Sequence, residues 1–165
     1  MDTVLIKENI ILKQLSAADA LAFHRLYNPE GAWEHAITGA KTPLEFTRHI
    51  ISLCNHIFSI RMADDPAIII GDCALHDWDK AKGEIEIGGT LLPEYWGKGI
   101  MQAAFELLIE LAQQQYAVNK VVAKTETDNR KAIKFALKMG FEETGIGADT
   151  LILTKYLNAN IQVDF

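Results

Sequence analysis

The sequence is poor in cysteine and has no long apolar run. Its 165 residues include only two cysteines, Cys54 and Cys73. They show neither the spacing of a metal site nor a disulfide framework, which favours two small buried side chains in a reducing compartment. No stretch approaches the ~20 apolar residues of a membrane-spanning helix, and the charged first residues do not resemble a secretory signal. These absences predict a cytoplasmic protein with no membrane partner.

Positive charge is also scarce. The sequence has 16 lysine and arginine residues against 22 aspartate and glutamate residues, a formal net charge of −6 at pH 7. Because nucleic-acid-binding proteins usually carry a basic face, this balance argues against a nucleic-acid partner. A small cationic substrate or a basic peptide would instead be attracted. No repeat, low-complexity tract or linker divides the chain, so we expect residues 1–165 to form one domain.

The predicted elements change in character along the chain. One strand and two helices come first, at 9–15, 17–27 and 43–55. Three strands separated by short turns follow, a pattern typical of an antiparallel meander, at 57–62, 67–76 and 84–92. Strands and helices then alternate, at 100–116 (helix), 121–125 (strand), 129–139 (helix) and 150–156 (strand). This mixed order predicts an α+β or α/β sandwich around one sheet.

A glycine-containing turn, Glu94-Tyr95-Trp96-Gly97-Lys98-Gly99-Ile100, joins a predicted strand to a predicted helix. The first amides of a helix have no internal partner, and glycine lets the backbone approach an anion closely, so the turn suits a pyrophosphate. The P-loop pattern fails because Ile100-Met101 follows the glycines. The dinucleotide pattern is weak because position 102 is glutamine and a meander precedes the turn. The pyrophosphate loop of coenzyme A enzymes fits best.

Two separated motifs resemble the GNAT superfamily of acyl-CoA-dependent N-acyltransferases. LLPEYWGKGIMQAA (91–104) resembles the pyrophosphate loop and the helix after it, and TDNRKAIKFALKMGF (127–141) is similar to the asparagine-led helix that ends in Gly-Phe. The residues PEYWGKG (93–99) are most similar to those of the Rim-type ribosomal-protein N-terminal acetyltransferases. The resemblance implies an α+β fold with a GNAT-like mixed central sheet, mostly antiparallel and flanked by helices. It also implies transfer of an acetyl group from acetyl-CoA to a primary amine by direct attack in a ternary complex, without a metal. The implied acceptor is a protein N-terminus or a small amine. A homodimer is a further possibility.

The resemblance also implies which residues hold the cofactor. Five main-chain amides would bind the pyrophosphate, those of Gly97, Lys98, Gly99, Ile100 and Met101. Main-chain groups of Leu91 and Leu92 would pair with the pantetheine arm, and an amide near Leu92 would donate to the developing oxyanion. Three residues of the second motif would contact the rest of the cofactor, namely Asn129, Phe135 and Lys138. Asn129 is expected to cap its helix as well.

Two glutamates on one predicted strand are candidates for the catalytic base. Glu84 and Glu86 are two residues apart and share a face, while Ile85 and Ile87 take the other. A base is needed because a free alkyl amine is mostly protonated near neutral pH. From spacing alone, two solvated carboxylates are a slightly better interpretation. The resemblance favours Glu86 as the base.

The usual proton donors of the family are missing, and this leaves alternatives open. Where relatives carry a serine or a tyrosine, this chain has Ala132 and Ala136. The departing thiolate of coenzyme A needs a proton. Water, the amine itself, or a hydroxyl of Tyr95, Tyr116 or Thr127 could donate it instead. A catalytically inactive coenzyme-A-binding sensor is therefore the alternative function, and a nucleotide-dependent oxidoreductase is a third.

Two further features are weighed for the acceptor site. His76 follows a predicted strand, but a surface histidine is the favoured interpretation. Trp33 and His35 lie in the segment that forms the acceptor wall in relatives, where simple loop packing is an equal alternative.

Overall fold

The computed structural model describes residues 3–28, 40 and 42–158. Within these residues eight strands form one sheet. The strands are β1 (Val4–Lys7), β2 (Ile10–Gln14), β3 (Cys54–Met62), β4 (Gly71–Asp79), β5 (Glu84–Leu91), β6 (Lys120–Glu126), β7 (Glu142–Ile146) and β8 (Thr150–Tyr156). The α-helices are α1 (Ala20–Tyr27), α2 (Pro43–Leu53), α3 (Ile100–Tyr116) and α4 (Arg130–Lys138).

The sheet order is β1-β2-β3-β4-β5-β6-β8-β7. Each neighbouring pair is antiparallel except β5 and β6, which run parallel. A parallel pair needs a crossover connection, and α3 supplies it. The prediction of an α+β fold with a mostly antiparallel sheet is confirmed, as is the antiparallel meander of β3, β4 and β5.

The two faces of the sheet carry different helices. The main core lies on the face of α3, where Phe58, Ile60 and Leu108 are fully buried. A smaller core on the opposite face joins α1 and α2 to the sheet, through Leu15, Phe23, Phe46, Ile57 and Ala74. Strand alternation explains the division, because neighbouring residues such as Ile57 and Phe58 point to opposite faces.

The local sequence explains where α2 begins and ends. Pro43 occupies the first position of α2, and the hydroxyl of Thr42 accepts a hydrogen bond from the amide of Glu45 at 3.1 Å. α2 then ends at Leu53, two residues before the predicted boundary, because β3 begins directly at Cys54. Part of the chain near the end of α1, including Trp33 and His35, falls outside the described residues.

Two strands were absent from the prediction, and one was misplaced. β1 and β7 are short, lie at the two edges of the sheet and pair on one side only. Neither shows the alternation that identifies a strand, because β1 has apolar residues on both faces and β7 is mostly polar. The strand predicted over 67–76 lies at Gly71–Asp79. Its end is irregular, with a register shift between His76 and Asp79 and a left-handed φ of 53° at Asp77.

Candidate active site

The glycine turn has the backbone conformation that glycine favours. Gly97 and Gly99 have φ of 74° and 77°, in the left-handed region that other residues rarely adopt. Apart from the adjacent residues of the turn, no atom of the described residues lies within 4 Å of the position that a Cβ would occupy at either glycine. The backbone is therefore open on this side to a ligand.

The N-terminus of α3 is available to an anion. Gly99 is its N-cap residue, and no side chain of the described residues makes a capping hydrogen bond there. α3 is 17 residues long, so its dipole places partial positive charge at this end. The amides of Ile100 and Met101, which belong to the predicted pyrophosphate loop, lie in this first turn.

Aromatic side chains hold the turn in place. The indole N–H of Trp96 donates to the carbonyl oxygen of Leu91 at 2.7 Å, which ties the turn to the end of β5. The ammonium group of Lys131, in the first turn of α4, lies 4.6 Å from the centroid of the Trp96 ring. The ammonium group of Lys98 lies 5.6 Å from the centroid of the Tyr95 ring. One positive charge therefore lies within the turn, and a second lies beside it.

A gap between β5 and β6 leads away from the turn. The two strands pair only from Glu84–Lys120 to Glu86–Val122, although β5 continues to Leu91 and β6 to Glu126. The amide of Leu92 donates to the carbonyl of Ile70 beside β4 at 2.9 Å. Since alternate residues of a strand direct their main-chain groups to opposite sides, Gly89 and Leu91 face the gap.

The hydrogen bonds around the gap show which main-chain groups of Leu91 and Leu92 are already paired. The Leu91 carbonyl is bonded to Trp96, and the Leu92 amide is bonded to Ile70. The Leu92 amide is therefore not free to donate to an oxyanion. The amides directed into the gap are those of Gly89 and Leu91.

The residues predicted from the second motif lie in different surroundings. Asn129 caps α4 as predicted, because its side-chain oxygen accepts from the amide of Ala132 at 3.2 Å. Phe135 packs edge to face on Phe105 of α3, with 5.3 Å between ring centroids. Lys138, at the end of α4, lines a separate groove with residues of α3, among them Glu106. Their contacts with a cofactor stay predictions.

Glu86 lies at the closed end of the gap. Its side chain is 14% exposed, and its carboxylate lies 3.4 Å from the ammonium of Lys124 on β6. Ile85 and Ile87 are buried on the other face, so the predicted division of this strand is confirmed. The carboxylate is therefore mostly buried, but part of it remains accessible to solvent.

His76 faces Glu86 across the sheet, which sequence spacing did not indicate. The two residues are register partners in β4 and β5, and the Nδ1 atom of His76 lies 3.9 Å from a carboxylate oxygen of Glu86. The same Nδ1 atom lies 2.7 Å from a carboxylate oxygen of Asp77. The nearest ligand atoms of the three side chains lie within 4.8 Å of one another. The pairing of β4 with β5 assembles this cluster.

A buried carboxyl group lies on the same face nearer the glycine turn. Asp72 is 4% exposed, and the hydroxyl of Tyr27 donates to it. Burial raises the pKa of Asp72 to about 6, although hydrogen bonds from Tyr27 and the main chain of Thr90 lower it in part. Burial raises the pKa of Tyr27, and the nearby Asp72 charge adds to this rise.

An open pocket of about 510 Å³ lies on this face beside Glu86. Charges of both signs line it, from the side chains of Asp77, Asp79, Lys82, Glu84, Glu86, Lys120 and Lys124. Tyr156 and Thr154 also line the pocket. A ligand that carries an amine could meet carboxylates there.

The hydroxyls considered for the leaving thiolate lie apart from one another. Tyr95 belongs to the glycine turn, and Thr127 is exposed just after β6. Tyr116 lies at the opposite end of α3, where it packs on Trp78 and His56. Ala136 is buried in the main core, so the position used by a tyrosine in relatives is filled by packing here.

The chain matches known proteins along most of its length. Residues 9–142 match the family profile described as an acetyltransferase (GNAT) domain. The protein named Uncharacterized N-acetyltransferase p20, of Bacillus licheniformis, is 25% identical over 150 residues, which covers 86% of this chain and 84% of that protein.

Among the described residues, no helix is long and apolar enough to cross a membrane.

Solved structures share the fold at low sequence identity. RimL, named a ribosomal L7/L12 α-N-protein acetyltransferase and solved in complex with coenzyme A, has a TM-score of 0.77 at 15% identity, covering 94% of this chain and 98% of its own. The ribosomal-protein-S5-alanine acetyltransferase from Vibrio fischeri has a TM-score of 0.73 at 19% identity, covering 94% and 97%. With the family profile matched over most of its residues, the chain belongs to the GNAT family of acetyltransferases.

Proposed function

We propose that this N-acetyltransferase moves an acetyl group from acetyl-CoA to a primary amine by direct attack within a ternary complex. The observation that carries the proposal is the gap between β5 and β6, which runs from the glycine turn to Glu86. The gap connects the glycine turn, which suits a pyrophosphate, to the Glu86 carboxylate, which can attract an amine. One continuous site can therefore hold both substrates.

The chain's own groups fit coenzyme A. The open backbone at Gly97 and Gly99 and the uncapped amides of α3 suit the pyrophosphate. The amides of Gly89 and Leu91 are directed into the gap, where an extended arm can add to the edge of β5 as a strand would. When bound, acetyl-CoA supplies the thioester whose carbonyl carbon accepts the amine.

Glu86 supplies the negative charge that attracts the ammonium group of the acceptor. An ammonium group has no lone pair, so it must lose a proton before it can attack. The Glu86 carboxylate is 14% exposed and lies on the face of the open pocket, where an ammonium can reach it. Either direct contact or one bridging water would serve.

A protein N-terminus is the acceptor we favour. The RimL and S5-alanine relatives are named for ribosomal proteins, and the first of these names specifies an α-amino group. The pocket beside Glu86 is open and carries both charges, which suits a peptide with an α-ammonium group and polar side chains. A small amine is the other acceptor class. A cytoplasmic location and a homodimer stay predictions.

A coenzyme-A-binding sensor without catalysis is the second candidate. It is favoured by Ala132 and Ala136, which replace the family's usual proton donors. A sensor would bind acetyl-CoA tightly and form no product.

Mass spectrometry of the acceptor separates the two candidates. The protein would be incubated with acetyl-CoA that carries a deuterated acetyl group, and with peptides that differ in their first residue or with small amines. The proposal expects the label on the amine nitrogen of at least one acceptor. Cofactor binding without a labelled product from any acceptor would favour the sensor.

A further inference from the structure

We propose that His76 is a further catalytic residue: its Nε2 atom takes the proton that the acceptor ammonium must lose, while Asp77 holds the ring from the other side. The inference rests on the proposed acetyl transfer and names where the proton goes. Glu86 then acts as the anion that attracts the ammonium and stabilises the charged ring.

The position of the ring supports this role. The Nε2 atom lies 3.9 Å from the place that a Cβ at residue 88 would occupy. Because Gly88 has no side chain, no other atom of the described residues, apart from its chain neighbours, comes within 4 Å of this point of β5. The residues on either side of Gly88 along the same face are Glu86 and Thr90. Nε2 therefore faces the part of β5 that borders the gap.

Asp77 fixes the direction of the ring. A carboxylate can only accept a hydrogen bond, so the 2.7 Å contact requires that the Nδ1 atom of His76 carries the hydrogen. The lone pair of the neutral ring is then on Nε2, directed at the space over Gly88. Asp77 holds its carboxylate in place from a left-handed backbone, with φ of 53°. Such a conformation is uncommon for a residue other than glycine, and it is often found at functional sites.

The neighbouring charges favour the product of the proton transfer. Glu86 on β5 lies 3.9 Å from Nδ1, and Lys124 on β6 lies 3.4 Å from Glu86. Cys54 is the register partner of His76 on β3, and burial raises the pKa of its thiol to about 11, so it adds no charge near neutral pH. Two carboxylates and one ammonium thus surround the imidazolium that forms, in the way that carboxylates support histidine bases.

The same three side chains are close enough together to suggest a cation. Lys124 argues for a proton instead, because its ammonium group already lies against the Glu86 carboxylate. A divalent ion would have to share that carboxylate with a positive charge. We therefore assign the cluster to proton transfer.

The proton balance is simple. One N–H bond of the acceptor ammonium breaks, and one N–H bond forms at Nε2 of His76. The electron pair left on the acceptor nitrogen is the pair that attacks the thioester. The imidazolium returns its proton to solvent, which its 28% exposed side chain can reach.

The first test is the pH dependence of kcat/KM for wild type, His76→Gln and Asp77→Asn, all with a chelator present. His49→Gln, at an exposed position of α2, is the control. The rate of wild type should rise with pH, because only the neutral ring can accept the proton. His76→Gln should lose this rise and lower the rate on the order of 100-fold, a common contribution of a general base. His49→Gln should keep the rise.

Asp77→Asn tests the orienting role separately. Asparagine tolerates the left-handed backbone and can still accept the hydrogen bond, so only the charge is removed. The value of kcat/KM should fall, but by less than in His76→Gln, because an exposed carboxylate stabilises the imidazolium only modestly. A rise with pH that is unchanged in His76→Gln would overturn the proposal. So would rate losses in the His76→Gln, Glu86→Gln double variant that equal the product of the single losses, since groups acting as one unit are not additive.

A second measurement does not depend on turnover. Nitrogen-15 NMR of the wild-type protein reports which ring nitrogen of His76 carries the hydrogen. The proposal expects the Nδ1–H form, and the Nε2–H form would overturn it. If no amine is acetylated by wild type, the proposed function fails, while the NMR result still decides whether Asp77 orients His76.

Discussion

The hydroxyl of Tyr27 donates a hydrogen bond to the buried carboxyl group of Asp72, which ties α1 to the centre of the sheet. The main chain of Thr90 on β5 also bonds to this carboxyl group. The three residues lie on the face that carries Glu86 and His76. α1 is thus fastened to the two strands that carry His76 and Glu86.

We expect this buried carboxyl group to make stability depend on pH. Folding raises the pKa of Asp72 from 3.8 to about 6, so the folded state holds the proton more tightly. The stabilising contribution is full below about pH 4 and is lost as the pH rises through about 6, a change of about 3 kcal/mol. Asp72→Asn should therefore gain stability relative to wild type between pH 4 and pH 7.

Urea unfolding at several pH values measures this difference. Asp64→Asn, at an exposed position, is the control and should follow wild type at every pH. If the difference in free energy of unfolding between wild type and Asp72→Asn stayed constant with pH, Asp72 would not titrate as its burial implies.

The contact between Lys131 and Trp96 should matter for cofactor binding. Lys131→Met removes the charge and the cation–π contact, and we expect coenzyme A to bind about threefold to tenfold more weakly, with less dependence on salt. Lys131→Arg should retain most of the affinity, because guanidinium also stacks on aromatic rings. Isothermal titration at two salt concentrations measures both effects. Lys134→Met, exposed on the same helix, is the matched control, and an equal loss there would contradict the specific role of Lys131.

The glycine turn can be tested with a matched pair of substitutions. Gly97→Ala and Gly97→Glu both place a side chain at a residue with φ of 74°, so both share the backbone strain. Only the glutamate adds a carboxylate that would crowd and repel a pyrophosphate. We expect Gly97→Glu to abolish measurable binding of coenzyme A and Gly97→Ala to weaken it modestly. Unchanged affinity in Gly97→Glu would remove the turn from the cofactor site.

Glu86 should act on the amine and not on the cofactor. Glu86→Gln is expected to lower turnover most at pH values where the acceptor amine is protonated, because the attraction for the ammonium and its proton is lost. The affinity for acetyl-CoA should change little. Steady-state rates across pH, with Glu143→Gln on the exposed edge strand β7 as the control, test this expectation. A rate equal to that of wild type at every pH would exclude Glu86 from the reaction.

Local patterns identified the parts of the site that lie within one stretch of chain. The alternation of Glu84 to Ile87 placed two isoleucines in the core and Glu86 on the other face, as found. The glycines before α3 marked a turn whose φ angles glycine favours, as found. Each inference needed only neighbours along the sequence.

Contacts between distant residues could not be predicted in this way. His76 meets Glu86 because of the register between β4 and β5, and a shift of one residue would separate them. Tyr27 and Asp72 are 45 residues apart, and Lys131 reaches Trp96 only because two helices begin at the same end of the sheet. Such pairs depend on the tertiary fold, for which a single sequence carries no local signal.

The release of coenzyme A thiol in the presence of an amine tests the central claim most directly. The protein would be mixed with acetyl-CoA and each member of a panel of peptides and small amines, with Gly97→Glu as the matched variant. The account predicts thiol release that depends on both the acceptor and wild-type Gly97. Tight binding of acetyl-CoA by wild type, with no thiol released for any acceptor, would contradict it.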